Sequence, residues 1–177
     1  SVTHDSGAGR LNLTASYTYD LLGNRVSETN PRGYTRTMQY DNLRQLTQIT
    51  ETAPFSYVTN MTYDVVGNLL TTSKQTGGTP AWQTTTTTYS NTNRPLTVTD
   101  PLNNVTTHTW DAWDRHASTT DAENRQRQYQ YDTNSRLSAI IDANGVTEEQ
   151  RTYDSAGALA TIKDARNNQT TFSRDGF

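Results

Sequence analysis

The feature that most constrains this chain is a pair, an aromatic residue followed by Asp, that returns along its length at nearly constant intervals. Tyr19-Asp20, Tyr40-Asp41, Tyr63-Asp64, Trp110-Asp111, Tyr131-Asp132 and Tyr153-Asp154 carry it in full. Tyr89-Ser90 and Arg174-Asp175 fill the slot with one member changed. Successive positions differ by 21, 23, 26, 21, 21, 22 and 21 residues. A period in the twenties kept up along a chain belongs to repeat architectures, in which a unit cannot bury its own apolar face and leans on its neighbours. Only 31% of the residues are hydrophobic, too few for a thick two-layer globule of 177 residues. Disorder is disfavoured by the small net charge, −3, and by an abundance of Thr and Tyr, which suit a pleated, half-buried surface.

The unit is clearest from Gln128 to Gly145: an alternating strand ending at Tyr131, a turn opened by Asp132, a second alternating strand, and a turn opened by Asp142. The first turn reads Asp20-Leu-Leu-Gly23, Asp64-Val-Val-Gly67 and Asp154-Ser-Ala-Gly157. Asp at the head of a type I turn accepts backbone N–H bonds, and Gly in fourth place takes positive φ without a Cβ penalty. Arg44, Asn93, Asp114 and Ser135 replace that Gly in other copies, Arg44 least comfortably. The second turn reads Asn30-Pro-Arg-Gly33, Asp100-Pro-Leu-Asn103, Asp121-Ala-Glu-Asn124, Asp142-Ala-Asn-Gly145 and Asp164-Ala-Arg-Asn167.

These patterns predict an all-β fold: antiparallel up-and-down β-hairpin repeats forming a twisted, coiled ribbon of about fifteen strands. The domain expectation is a single array over residues 1–177, about seven or eight units of 21–26 residues, cut from a longer chain. The spacing leaves open whether each loop has three or four residues, and with it which residues face the slot ring. Two longer copies, holding Glu51 to Tyr57 and Lys74 to Trp82, read as tolerated loop variation.

Chemistry-bearing patterns are sparse. The absence of Cys removes disulfides, thiolate metal sites and thiol nucleophiles. His4, His108 and His116 lack metal spacing; the last two flank the Trp110 hairpin, where they could approach each other, but the favoured reading is two exposed strand residues. Asp111, Asp114, Asp142 and Asn144 suit turns better than a calcium loop. Gly7-Ala-Gly9 lacks the rest of a dinucleotide fingerprint, and the Asn-x-Thr sequons at Asn12, Asn60, Asn104 and Asn168 fit an Asn- and Thr-rich composition. No cofactor, metal or catalytic residue is therefore expected. Lys and Arg are scattered singly, which argues against nucleic acid, with Arg125 and Arg127 read as a solvated face. No apolar run reaches bilayer length, so membrane insertion is not expected.

An aromatic–Asp pair, then Gly-Asn-Arg or Arg-Leu, then Asp-Pro/Ala-x-Gly, resembles the YD repeat of the Rhs family. Tyr19-Asp-Leu-Leu-Gly-Asn-Arg25 with Asn30-Pro-Arg-Gly33, and Tyr131-Asp-Thr-Asn-Ser-Arg-Leu137 with Asp142-Ala-Asn-Gly145, carry the resemblance, which extends from residue 17 onward. Similar arrays occur in bacterial Rhs polymorphic toxins, the shell-forming components of Tc insecticidal toxins, wall-associated bacterial proteins and teneurins. The resemblance implies a β-ribbon spiralling into a hollow shell that, in the toxins, holds a C-terminal toxic domain. It implies a secreted or cell-surface bacterial protein whose partners are other repeats of the parent chain and the enclosed domain. The family's self-cleaving core segment has no match in these residues.

The structural repeat motif is expected to comprise Tyr19, Tyr40, Tyr63, Tyr89, Trp110, Tyr131 and Tyr153, the turn Asp20, Asp41, Asp64, Asp111, Asp132 and Asp154, and Gly23, Gly33, Gly67, Gly145 and Gly157. Each slot ring is expected to pack on adjacent hairpins while its tip finds a polar partner. The competing expectation is an adhesion or carbohydrate- or protein-binding module using exposed aromatics. Open edge strands, with the charge-poor Thr84 to Thr88, lead to an expectation of homo-association through sheet edges.

Overall fold

The computed structural model describes residues 2–4, 13–52, 56–78 and 81–173. Expectations placed on Gly7-Ala-Gly9, Asn12, Pro54-Phe55, Pro80 and Arg174-Asp175 lie outside the described residues.

The fold is all-β, and the described residues contain no helix. Clustering of the backbone separates two compact units, residues 1–88 and 89–177. The first holds β1 (Val2–His4), β2 (Leu13–Tyr19), β3 (Arg25–Thr29), β4 (Thr35–Tyr40), β5 (Leu46–Glu51), β6 (Val58–Tyr63), β7 (Leu69–Gln75) and β8 (Trp82–Tyr89) up to Thr88. The second holds β9 (Pro95–Thr99), β10 (Val105–Trp110), β11 (His116–Thr120), β12 (Gln126–Tyr131), β13 (Leu137–Ile141), β14 (Thr147–Tyr153), β15 (Leu159–Asp164) and β16 (Gln169–Thr171). Within each unit every strand pairs antiparallel with the next in sequence, giving the up-and-down hairpin order the periodicity predicts.

Among the described residues, twelve corners share one geometry. At the first, Asp20 N–H donates to Asn24 O (2.9 Å), Gly23 N–H donates to Asp20 O (3.1 Å), and Gly23 has φ +83°. This is a three-residue loop, a type I turn followed by a left-handed residue, which resolves the choice the spacing left open. The left-handed residue is Gly at 23, 33, 67, 145 and 157 and a residue with a side chain at Arg44, Asn93, Asn103, Asp114, Asn124, Ser135 and Asn167. Both kinds of turn close this way, so the aromatic–Asp corner and the Asn/Asp-Pro/Ala corner are one device used at opposite ends of the strands. The longer copies close differently: Glu51 N–H donates to Tyr57 O and Thr76 N–H to Ala81 O, each at 2.9 Å.

Strand alternation sends slot rings to one face and small polar groups to the other. On the polar face hydroxyls meet across strands in Thr18–Ser27 (2.6 Å), Thr62–Thr71, Thr109–Ser118 and Thr152–Thr161 (2.7 Å each). The core is thin. Only Ala15, Met38, Ile140 and Ser118 are buried among the described residues, as a single sheet layer requires. Within each unit, burial alone therefore cannot hold the repeats together, and the hydrogen bonds joining one repeat to the next become the points of interest.

Candidate functional site

The repeating site is built around the slot aromatic. At the slot the ladder slips by one residue: Tyr19 pairs with Arg25, Tyr40 with Leu46, Tyr63 with Leu69, Trp110 with His116, Tyr131 with Leu137 and Tyr153 with Leu159, each across a register shift. The residue six past a slot thus opens the returning strand. Its carbonyl accepts a hydrogen bond from the slot ring of the following repeat. Tyr40 Oη donates to Arg25 O (2.9 Å), Tyr63 Oη to Leu46 O (2.8 Å), Trp110 Nε1 to Pro95 O (2.9 Å), Tyr131 Oη to His116 O (2.9 Å) and Tyr153 Oη to Leu137 O (2.8 Å). Trp replaces Tyr at 110 without loss of the bond, because indole N–H is also a donor on a flat apolar ring. These five rings are half-buried, whereas Tyr19, at the head of the series, is 61% exposed.

The corner Asp works mainly within its own turn. Asp20 Oδ1 accepts Leu22 N–H (2.9 Å) and Asn24 N–H (2.8 Å), while Oδ2 accepts Asn24 Nδ2 (2.8 Å). Asp64 with Asn68, Asp100 with Asn104 and Asp164 with Asn168 repeat the arrangement. In other copies Arg takes the Asn place: Arg115 Nε donates to Asp111, Arg125 Nε to Asp121 and Arg136 Nε to Asp132, each at 2.7 Å. Side-chain hydrogen bonds from Asn24, Asn68, Asn104 and Asn168 hold the carboxyls of Asp20, Asp64, Asp100 and Asp164 below the ordinary Asp range. The backbone N–H groups of Arg125, Arg136 and Val146 do the same for Asp121, Asp132 and Asp142. Charged carboxylates accept such bonds more strongly than neutral acids.

The residue five past the slot also reaches forward. Arg94 Cζ lies 5.3 Å from the centre of the Trp110 ring, Arg115 Cζ 4.4 Å from that of Tyr131, and Arg136 Cζ 4.4 Å from that of Tyr153, within cation–π range. The same guanidiniums touch the left-handed position of the next corner, Arg94 Nε on Asp114 Oδ2 (2.7 Å) and Arg115 Nη1 on Ser135 Oγ (3.1 Å). At Gly67 the fifth position of the repeat before reaches as close, since a Cβ there would lie 2.9 Å from Gln45 Nε2, whereas one on Gly157 would make ordinary contact with Arg136 Nη1 at 3.5 Å. A repeat therefore engages its successor through two consecutive positions, the fifth and the sixth past its slot.

Sequence reasoning located the rings and the corners but missed the accepting carbonyls of Arg25, Leu46, Pro95, His116 and Leu137. A carbonyl is common to all residues and leaves no compositional trace; only its constant offset of six from the slot marks it. The histidines also differ from expectation. His108 and His116 are half-buried, with His108 Nδ1 and His116 Nε2 3.3 Å apart, and burial followed by the nearby His108 pushes the His116 imidazole below its ordinary pKa. No cluster of three or more His, Cys, Asp or Glu residues able to hold a metal occurs among the described residues. Arg125 pairs with Asp121 and Glu123, and Arg127 with Glu148. No described helix is long and apolar enough to cross a membrane.

Antiparallel hairpins of constant period, joined from ring to carbonyl, define a β-repeat protein of the aromatic–Asp type. Residues 19–54 and 110–147 match the model of the RHS Repeat family, and both matches begin on a slot aromatic. Over those two stretches the chain carries Rhs-type YD repeats. No curated protein matches it. Among solved structures it is similar to chains in the TcdB2-TccC3-Cdc42 and TcdB2-TccC3 crystal structures, each at 16% identity and TM-score 0.34 over 89% of this chain. A Photorhabdus luminescens Tc holotoxin pore matches at 16% identity and TM-score 0.35 over 89%. The chain spans 11% or 12% of the length of those chains.

Proposed function

We propose that residues 1–177 are one YD-repeat array, part of a longer chain, and form a structural segment of a shell that encloses a C-terminal toxin domain in a secreted or cell-surface bacterial Rhs-type protein. The observation that carries this reading is the clasp, in which the slot ring at positions 40, 63, 110, 131 and 153 bonds the repeat before it. Such a bond allows repeats to be added indefinitely without a closed core, which suits a wall. Slot rings, corner Asp and corner Gly then act as structural parts, and this segment performs no catalysis. Its partners are the other repeats of the parent chain and the enclosed domain.

Exposed apolar side chains at the corner tips favour a second reading, adhesion or recognition of a carbohydrate or protein partner. Leu21, Leu22, Leu43, Val65, Val66 and Trp113 all project from aromatic–Asp corners. Limited proteolysis of the full-length parent protein separates the two. Under the shell reading its C-terminal domain resists protease until the repeats are unfolded or deleted. A C-terminal domain cut at the rate of the isolated domain refutes that reading, and saturable binding of a glycan or protein by the array would then support the other.

A further inference from the structure

On the aromatic face of the second unit, three donor atoms converge between β10 and β11. His108 Nδ1 lies 3.3 Å from His116 Nε2, and Thr119 Oγ1 lies 3.2 Å from the first and 3.1 Å from the second. A nitrogen pair at 3.3 Å is long for a hydrogen bond between rings. It is close to the roughly 3.3 Å separating two imidazole nitrogens that share one tetrahedral ion at about 2.0–2.1 Å. The strands bring this about because His108 stands opposite Thr119 while the register shift at Trp110 draws His116 toward it. We propose that His108 and His116, with the Thr119 hydroxyl, bind one borderline divalent transition-metal ion, water completing its coordination.

The surroundings suit such an ion. The His116 ring stacks on Tyr129 with ring centres 4.6 Å apart and lies 5.0 Å, centre to centre, from Trp110. Support of this kind fixes a ligating ring. The groups that face the pair are His108 and Trp110 on β10, Thr119 on β11, and Arg127 and Tyr129 on β12. The nearest guanidiniums are already paired, Arg127 with Glu148, Arg115 with Asp111 and Arg94 with Asp114, which blunts their repulsion of a cation. Two imidazoles and a hydroxyl select the Cu2+, Ni2+ and Zn2+ class over Mg2+ or Ca2+, with Cu2+ held most tightly.

The test is a titration of the 177-residue chain with Cu2+, and separately Zn2+, in a non-coordinating buffer at pH 7.5. Calorimetry and quenching of Trp and Tyr fluorescence report binding, and circular dichroism reports folding. The expected result is one equivalent bound, with His108→Gln and His116→Gln each weakening it at least ~10-fold, since loss of mere outer-shell partners costs 10–100-fold. His4→Gln should leave binding unchanged. If His116→Gln unfolds its hairpin, His108→Gln and the electron paramagnetic resonance spectrum of the Cu2+-loaded parent decide, the latter expected to show coupling to two imidazole nitrogens. Binding by His108→Gln within twofold of the parent, a spectrum without imidazole coupling, or loss of the equivalent in His4→Gln overturns the proposal.

Discussion

Tyr131→Phe isolates the clasp because it deletes one hydroxyl and keeps the ring. In the parent that hydroxyl donates to His116 O at 2.9 Å, and the ring lies under the Arg115 guanidinium at 4.4 Å. Phe keeps the stacking and leaves the His116 carbonyl to compete for water. A typical intramolecular hydrogen bond contributes about 1 kcal/mol net, and Tyr131 is half-buried, so the expected loss is about 0.5–1 kcal/mol. Tyr131→Ala also removes the ring. Truncating a fully buried aromatic costs about 3–5 kcal/mol, and halving that for a half-exposed ring gives roughly 2 kcal/mol. Tyr19→Phe, at a residue 61% exposed, is expected to change stability by less than about 0.5 kcal/mol.

Urea denaturation gives the size of these losses, and native-state hydrogen exchange gives their place. Because a repeat array responds chiefly at the altered interface, protection should fall over His116–Thr120 and Gln126–Tyr131 and remain unchanged in β2 to β5. Equal effects of Tyr131→Phe and Tyr19→Phe, or unchanged protection in β11 and β12, would refute the idea that the hydroxyl joins repeats.

Three further outcomes follow from the corners and the rings. Arg44 holds φ +64°, and Arg44→Gly should stabilise the chain by about 0.5–1 kcal/mol, the relief of left-handed strain less the added freedom of the unfolded glycine; a lower urea midpoint would contradict this. The lowered carboxyls of Asp20, Asp64, Asp100 and Asp164 favour folding above the ordinary Asp pKa, so stability should drop as pH falls from about 4 through their depressed values. Urea midpoints that stay constant below pH 4 would count against the corner bonds. Burial raises the phenols of Tyr63 and Tyr131, so their contribution is complete below about pH 10 and lost as pH climbs through the raised folded values; ultraviolet titration of phenolate alongside the melt checks that both residues ionise late.

The legible parts of the fold were those written in side chains at a fixed period. Asp at the head of a corner and Gly or Asn in its left-handed place have few substitutes, so Asp64 and Gly67 mark a turn from sequence alone. Even the misfits were readable: Arg44 and Ser135 stand at positive φ where Gly stands in other copies. Loop length was not readable, because Asp-x-x-Gly serves loops of three or four residues and the choice rests on backbone bonds such as Asp20 N–H to Asn24 O. The clasp was half legible for the same reason, its donor a side chain and its acceptor a main-chain carbonyl. That His108 and His116 could approach was readable from their flanking the Trp110 hairpin, but how closely depends on the one-residue slip at Trp110, and a slip of that kind has no residue signature.

Two sets of bonds do different work in this sheet. Corner bonds are local: Asp20 satisfies Leu22 and Asn24 within five residues, and none of these bonds involves the next repeat. Clasp bonds span 15 to 17 residues and always run from one repeat to the one before it. A corner can therefore tolerate Ser90 in place of Asp, because Ser90 Oγ still accepts Thr92 N–H at 3.2 Å and Arg94 N–H at 3.1 Å. A slot is stricter, since it needs a donor at the far end of a flat apolar ring, which only Tyr and Trp provide at that length. With so few buried apolar side chains, the order of the repeats is held by the ladder and the clasp together. A slot that loses its donor should loosen one junction and leave the hairpins on either side formed.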